Sequence, residues 1–178
     1  NPEGHLPVTF YKGTEELPAF TDYAMEGRTY RYMKQDALYP FGYGLSYTSY
    51  SYSGLKVQES SVTDEGVNLA VTVKNTGKRT GTETVQVYIK IEKEDTPNAQ
   101  MKAIRKVTLR PGEEKEVSIH LAKDAFGLCD KEGNFRIYKG EAKVSVGGHA
   151  PDRRSEELTG VKVQSVMLRT EDELLWEN

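Results

Sequence analysis

Histidine is the first side chain to consider for catalysis, and this chain has three, at positions 5, 120 and 149. A hydrolase needs at least two groups held in reactive geometry, such as a nucleophile with its base or a pair of carboxyl groups. His5 lies in a segment without a regular pattern, and His149 follows a Gly-Gly turn. His120 stands in the polar phase of an alternating strand pattern. We therefore predict surface or loop histidines.

Acidic residues are plentiful, but they stand in polar runs for which a solvated face is sufficient explanation. Examples are 92–95, Glu113-Glu114 and Glu156-Glu157. One pairing stays open, in which His149 and Asp152 meet in a single loop. The sequence has no HExxH, CxxC or GxSxG motif and no phosphate-binding glycine loop. We therefore predict no catalytic residue, no metal site and no cofactor.

The chain has a single cysteine, Cys129, so it cannot form an internal disulfide. Its neighbours 126–128 are apolar or turn-forming, which favours a structural thiol over a reactive one. The cellular compartment stays open, because no disulfide pattern marks it.

The charges indicate which partners to expect. The 24 basic and 27 acidic residues are interspersed, and no clustered basic face is apparent. Binding to nucleic acid or to an anionic membrane needs such a face, so we predict neither partner. No apolar run approaches the roughly 18 residues of a membrane span.

Aromatic residues are concentrated at the start of the chain, where 12 of the 17 lie within the first 52 positions. The run 39–47, with the sequence YPFGYGLSY, holds four of them. Because this part is rich in proline and glycine and has no sustained period of 2 or 3.6, we expect extended chain lying on another surface.

Two functions fit this aromatic segment. It could stack on sugar rings, with Arg28 and Arg31 supplying hydrogen bonds, or it could be a strap that docks on a neighbouring domain. Each buried ring removes about 150 Å2 from water, which contributes roughly 25 cal/mol per Å2. A docked strap would bury far more of this aromatic area than a monosaccharide could cover. Gly42 and Gly44 would let the strap turn tightly. The predicted interdomain docking residues are Tyr30, Arg31, Tyr32, Tyr39, Phe41, Tyr43, Leu45 and Tyr47.

From about Ser49, short alternating runs separated by turn residues predict half-buried antiparallel strands. They lie at 55–57, 67–73, 85–91, 104–109, 117–121, 135–137 and 142–146, with one further strand at Val161 and Val163. This spacing is typical of an all-β, two-sheet antiparallel β-sandwich. Without a cysteine pair or a central tryptophan, a fibronectin type III-like sandwich is favoured over a disulfide-type immunoglobulin domain.

The predicted organisation has three parts: a strap over 1–48, the sandwich over 49–169 and a tail over 170–178. The tail begins with Thr170-Glu-Asp-Glu173, which has the spacing of a capping box, ahead of Leu174. This spacing predicts a short helical turn.

Several motifs, taken in order, resemble the end of the family 3 glycoside hydrolases. They are Leu6–Phe10, Gly27–Tyr32, Tyr39–Thr48, Val71–Gly77, Gly81–Tyr88, Leu109–Glu113 and Val144–Gly147. The resemblance covers roughly residues 4 to 150, and the GRTYRY element is most similar to the β-xylosidase and β-glucosidase branches. It implies a linker from the second catalytic-side domain into a C-terminal fibronectin type III-like domain.

The resemblance also implies what this chain lacks. The family's nucleophilic aspartate lies in a Ser-Asp-Trp context within an N-terminal barrel, and its usual acid/base glutamate lies in the next domain. Trp176 follows Leu175, so neither context is present and no catalytic residue can be assigned. We therefore expect an inactive accessory domain of a retaining glycosidase that acts on terminal β-D-glucosyl or β-D-xylosyl residues.

The expected partners are the catalytic domains of the same polypeptide, with an oligosaccharide near the sandwich-end loops as a further one. A carbohydrate-binding module and a protein assembly module are the alternatives. The exposed strap also predicts that the isolated chain self-associates, exchanges its leader or folds the leader onto its own sandwich.

Overall fold

The computed structural model describes residues 1–177 and shows ten β-strands that follow a long, mostly irregular N-terminal segment. The strands are β1 (Tyr50–Val57), β2 (Val67–Asn75), β3 (Gly81–Ile91), β4 (Gln100–Leu109), β5 (Glu114–Leu121), β6 (Leu128–Cys129), β7 (Phe135–Ile137), β8 (Gly140–Gly147), β9 (Gln164–Thr170) and β10 (Glu173–Trp176). The helices are α1 (Thr29–Tyr32) and α2 (Arg153–Thr159), with 3-10 turns at Thr14–Glu16 and Lys123–Phe126.

Two antiparallel sheets face each other across the core. One has the strand order β1-β2-β5 and the other β4-β3-β8-β9, while a small third sheet has the order β10-β7-β6. Alternation places Val67, Leu69, Val71 and Val73 of β2 in the core. The all-β sandwich predicted from the sequence is confirmed.

Strand β3 is buried on both faces. Val85, Val87 and Ile89 belong to the core between the sheets. Gln86 and Tyr88 point the other way, yet they are fully buried as well. The N-terminal segment produces this second burial, because it lies across the outer face of the four-stranded sheet.

The C-terminal tail corrects one prediction. Residues Glu173–Trp176 form strand β10, paired antiparallel with β7, rather than a helical turn. Leu175 packs against the core, and the ring of Trp176 stacks on Phe135 with 6.1 Å between centroids. A capping box is worth little over so short a segment, so pairing and burial decide its conformation.

The segment before β9 corrects a second prediction. Val161 and Val163 lie in a loop, and the strand begins only at Gln164. Helix α2 precedes that loop: the Asp152 carboxylate accepts a hydrogen bond from the Ser155 amide at 2.8 Å, and Gly160 ends the helix with φ of 68°. Its seven residues make it the longest helix within residues 1–177, too short to cross a bilayer.

Candidate docking surface

The strap, residues 1–48, meets the sandwich at a buried polar contact on β3. The side-chain amide of Gln86 donates to the carbonyl oxygens of Gly42 at 2.9 Å and Gly148 at 3.0 Å. The hydroxyl of Tyr88 donates to Oε1 of Gln86 at 2.7 Å. Gly148 and Tyr88 belong to the sandwich and Gly42 to the strap, so removing the strap takes one acceptor from the buried Gln86 amide, and a lost partner at a buried amide is costly.

The surroundings of Gly42 explain why the first glycine of the YPFGYGL motif is needed. Its φ is 80°, and a Cβ there would lie 2.2 Å from the Tyr88 hydroxyl and 2.4 Å from Oε1 of Gln86. At Gly44 a Cβ would lie 2.7 Å from Nδ1 of His5. Both glycines are thus required by close approach, and Gly42 also by its backbone conformation.

The strap is paired with itself rather than simply extended. The amide of Leu6 donates to the carbonyl of Tyr43 at 2.9 Å, and the amide of Gly42 donates back to Leu6 at 2.8 Å. Further along, Phe10 and Tyr39 form an antiparallel bridge. Residues near 6–10 and 38–43 therefore form a two-stranded ribbon that lies on the sheet.

A second anchor holds helix α1. The side-chain amide of Asn98, in the loop between β3 and β4, donates to the carbonyls of Tyr30 at 3.0 Å and Met33 at 2.9 Å. Met33, itself a strap residue, is buried. The strap thus contacts the sandwich at β3 and at this loop, and its Asp36 is also ion-paired with Arg153 of α2.

The predicted docking residues fall into two groups. Tyr30 stacks on Phe41 at 4.0 Å between centroids, and Tyr39 stacks on Tyr43 at 5.7 Å, so these rings meet within the strap. Exposed are Arg31, Tyr32, Tyr39, Leu45 and Tyr47, of which Leu45 and Tyr47 each expose 70% of their surface. The assignment of all eight residues to docking stays a prediction.

The two most exposed rings within residues 1–177 lie outside that predicted set. Phe20 is 94% exposed and Tyr23 is 87% exposed, both on the loop that joins the two halves of the strap. The sequence signal was the aromatic residues of LPAFTDYAM, which stand among turn-forming and acidic neighbours.

The histidines do not form a reactive pair. His120 is exposed, as predicted, and its Nδ1 lies 3.1 Å from Oδ1 of Asn68. His149 lies in a loop, as predicted, but is buried there, and its ring nitrogens lie 2.8 Å and 2.9 Å from the carbonyl oxygens of Ala150 and Val161. Asp152 caps α2 instead of binding His149.

His5 is partly buried where the strap meets β3. Its Nδ1 lies 2.8 Å from the carbonyl oxygen of Gly42. Burial lowers the pKa of His5, although the hydrogen bond to Gly42 opposes this effect. It acts here as a strap contact rather than as a free surface group.

Glu83 is a buried carboxyl group that the sequence analysis missed. Glu83 lies two residues before Val85 and therefore on the same, core-facing side of β3. The alternation alone could have predicted its burial. The hydroxyl of Tyr52 donates to its Oε1 at 2.6 Å, and burial raises its pKa to about 7. It borders a cavity of about 260 Å3 between strap and sandwich.

Cys129 is exposed at the end of β6, and its role as a structural thiol stays a prediction. Across residues 1–177, no three His, Cys, Asp or Glu side chains are grouped so as to hold a metal ion.

Comparison with known proteins shows which protein family the strap and the sandwich resemble. Residues 83–150 match the family model of the fibronectin type III-like domain. The chain contains a fibronectin type III-like domain. With the preceding strap, it aligns with the C-terminal region of family 3 β-glucosidases and β-xylosidases, which confirms the resemblance seen in its motifs.

Individual relatives extend the match over the strap. A xylan 1,4-beta-xylosidase of Xylanibacter ruminicola is 38% identical over 162 residues, which are 89% of this chain and 18% of that protein. The thermostable beta-glucosidase B of Acetivibrio thermocellus is 34% identical, over 85% of this chain and 21% of its own length. The chain therefore spans about a fifth of the length of these relatives.

A solved structure shows the same arrangement of strap and sandwich. Beta-glucosidase 3B of Thermotoga neapolitana, in complex with α-D-glucose, superposes with a TM-score of 0.82 at 30% identity. The alignment covers 98% of this chain and 26% of that one. The fibronectin type III-like domain and its strap are thus one part of much larger proteins among the relatives.

Proposed function

We propose that this chain is a non-catalytic accessory region that braces the catalytic domains of a β-glucosidase or β-xylosidase acting on terminal β-D-glucosyl or β-D-xylosyl residues. The observation that carries the proposal is the strap. It is bound to the sandwich through Gln86 and Asn98, yet it presents Leu45 and Tyr47 to the outside. A segment built in this way can connect the sandwich rigidly to another domain.

The names of the relatives support the parent activity, since they are glycosidases and this chain aligns with a minor part of each. Neither a carbohydrate-binding module nor an assembly module is favoured by these comparisons. In the proposed role, the catalytic domains of the same polypeptide are the partner, and the exposed members of the predicted docking set contact them.

The bracing role is tested by deletion in a relative. The region that matches this chain is removed from the Xylanibacter ruminicola enzyme, and the half-life of its activity on an aryl β-xyloside is measured at elevated temperature. Bracing predicts loss of activity or a half-life at least tenfold shorter. An unchanged half-life would contradict the proposal.

The non-catalytic role is tested on the isolated chain, which should not turn over aryl β-glucosides or β-xylosides. Hydrolysis that persists through repurification would contradict it. Oligosaccharide binding near the sandwich-end loops and self-association are finer proposals. Retarded migration in xylan or glucan gels and a concentration-dependent mass in light scattering, respectively, would support them.

A further inference from the structure

The loop between the two halves of the strap, residues 14–26, presents its apolar side chains outward. We call it the aromatic loop. Its most exposed large side chains are Phe20, at 94%, and Tyr23, at 87%, with Leu17 and Met25 about half exposed. Aromatic rings are large apolar groups, and two of them exposed together mark a surface that binds a partner.

The side chains of Arg28 and Asp22 hold the aromatic loop in shape. The guanidinium of Arg28 donates to the carbonyl of Ala24 at 2.9 Å and also to that of Asp22. The carboxylate of Asp22 accepts from the Ala24 amide at 2.9 Å, and the Asp22 amide donates to Ala19 at 2.9 Å. The backbone is thus ordered around rings that have no packing partner, which lowers the entropic cost of binding.

The charges of the loop describe the surface that it fits. Residues 13–27 contain the acidic residues Glu15, Glu16, Asp22 and Glu26 and no basic residue, and of these Glu26 is ion-paired with Lys34 at 2.8 Å. Arg28 follows, but its guanidinium is occupied by the loop carbonyls. A complementary surface would therefore have an apolar pocket with a basic rim.

We propose that Phe20 and Tyr23 anchor a second docking surface, which binds an apolar, basic-rimmed pocket on the catalytic part of the same polypeptide. This inference rests on the proposed bracing function. It commits to that occupant because this chain spans only 18% and 21% of two relatives, so most of their mass lies outside it. It differs from the predicted docking set at 30–47, which lies on the strap halves and on α1.

Two parts of the strap have different functions: one part binds the sandwich, and the aromatic loop binds the partner domain. Gly42 and the Asn98 anchor fix the strap to the sandwich. Phe20 and Tyr23 touch neither anchor, so their removal should leave the isolated chain folded. Aromatic anchors of this kind commonly contribute most of the binding at an interface.

The test exchanges the matching region of the Xylanibacter ruminicola enzyme for this chain and measures the half-life of aryl β-xyloside hydrolysis at elevated temperature. Phe20→Ala with Tyr23→Ala should shorten the half-life at least fivefold, and Arg28→Ala should shorten it less. Ile104→Ala, which removes an exposed apolar side chain on β4, is the matched control and should have no effect. The melting temperature of the isolated double variant should equal that of the parent chain.

The outcomes separate this inference from the proposed function. If deleting the whole region destabilises the relative while the double variant behaves as its parent, the loop inference is overturned and bracing stands. If the deletion has no effect, bracing itself fails. A dimer of the exchanged enzyme that the double variant abolishes would assign the loop to a second copy, which also overturns the inference.

Discussion

The two faces of β3 are both buried, but they are closed in different ways. On the inner face, Val85, Val87 and Ile89 pack against the opposite sheet. On the outer face, the strap covers Gln86 and Tyr88, and Gln86 donates a hydrogen bond to the strap carbonyl of Gly42. Apolar packing tolerates many sequences, whereas the outer face requires a glycine at position 42 and a strap of matching shape.

The difference explains why one strand can belong to a sandwich and also to an interface. The inner face makes the sandwich stable, and the outer face determines where the strap lies. Substitutions on the two faces should therefore have different consequences for global and local stability.

The largest effect is expected on the inner face. Ile89→Ala should lower the free energy of unfolding by about 2–5 kcal/mol, because it removes buried methyl groups and leaves a cavity. Urea unfolding of the isolated chain measures it. Met167→Ala, at a half-exposed site on β9, is the control and should change the free energy little. Equal effects at both sites would contradict the assignment of Ile89 to the core.

The core-facing side of β3 also contains Glu83, which makes the free energy of unfolding depend on pH. Its pKa is raised to about 7 in the folded chain, above an unfolded value of about 4.3. The neutral carboxyl is therefore favoured by folding, so the stability from this group is present in full below pH 4.3 and declines as the pH rises to about 7. The total loss is about 4 kcal/mol.

Glu83→Gln should remove this decline, since the amide stays neutral and can still accept from Tyr52. The free energy of unfolding is measured from pH 4 to pH 8 for both chains. Glu116→Gln, at an exposed site on β5, should keep the parent's pH profile. A Glu83→Gln profile parallel to that of the parent would show that the carboxyl is not buried in its neutral form.

On the outer face, Gly42→Ala should detach the strap. The new Cβ meets Tyr88 and Gln86 and has an unfavourable φ, so we expect a cost of about 2–3 kcal/mol, confined to strap opening. Hydrogen exchange at the Gly42 and Leu6 amides measures that opening. Gly112→Ala is the matched control, because Gly112 has φ of 76° but open space around it. Equal strap exchange in both variants would contradict the close approach.

The smallest effect is expected for Tyr88→Phe, which removes one donor to Gln86. The loss should be about 1 kcal/mol, because the amide oxygen keeps its burial and loses its partner. Urea unfolding and exchange at the Gly42 amide should both report it. An unchanged free energy of unfolding would mean that water or another group donates a hydrogen bond to Oε1 of Gln86 in the variant.

The sequence predicted the sandwich well because its strands have one apolar phase. Val67 to Val73 and Val85 to Ile91 alternate so regularly that the core could be identified directly. The sequence did not show that the polar phase of β3 is also buried, because Gln86 reads as a surface residue until the strap is placed on it.

Local sequence patterns did not predict the secondary structure correctly where tertiary contacts determined it. Helix α2 is almost entirely polar, so it has no apolar period, and only its Asp152 cap and Gly160 end mark it. The capping-box spacing at Thr170 was misleading, because pairing with β7 makes the tail a strand. For the docking surface, the concentration of aromatic residues located the strap, but Phe20 and Tyr23 stood out only when their exposure was known.

The central claim is that the strap completes the fold of the sandwich by covering the outer face of β3. Its most direct test compares the whole chain with a chain that begins at Ser49, by urea unfolding and by hydrogen exchange at the β3 amides. We predict that the shorter chain has a lower free energy of unfolding and faster β3 exchange, because Gln86 and Tyr88 lose their cover. Equal free energies and equal exchange would contradict the claim.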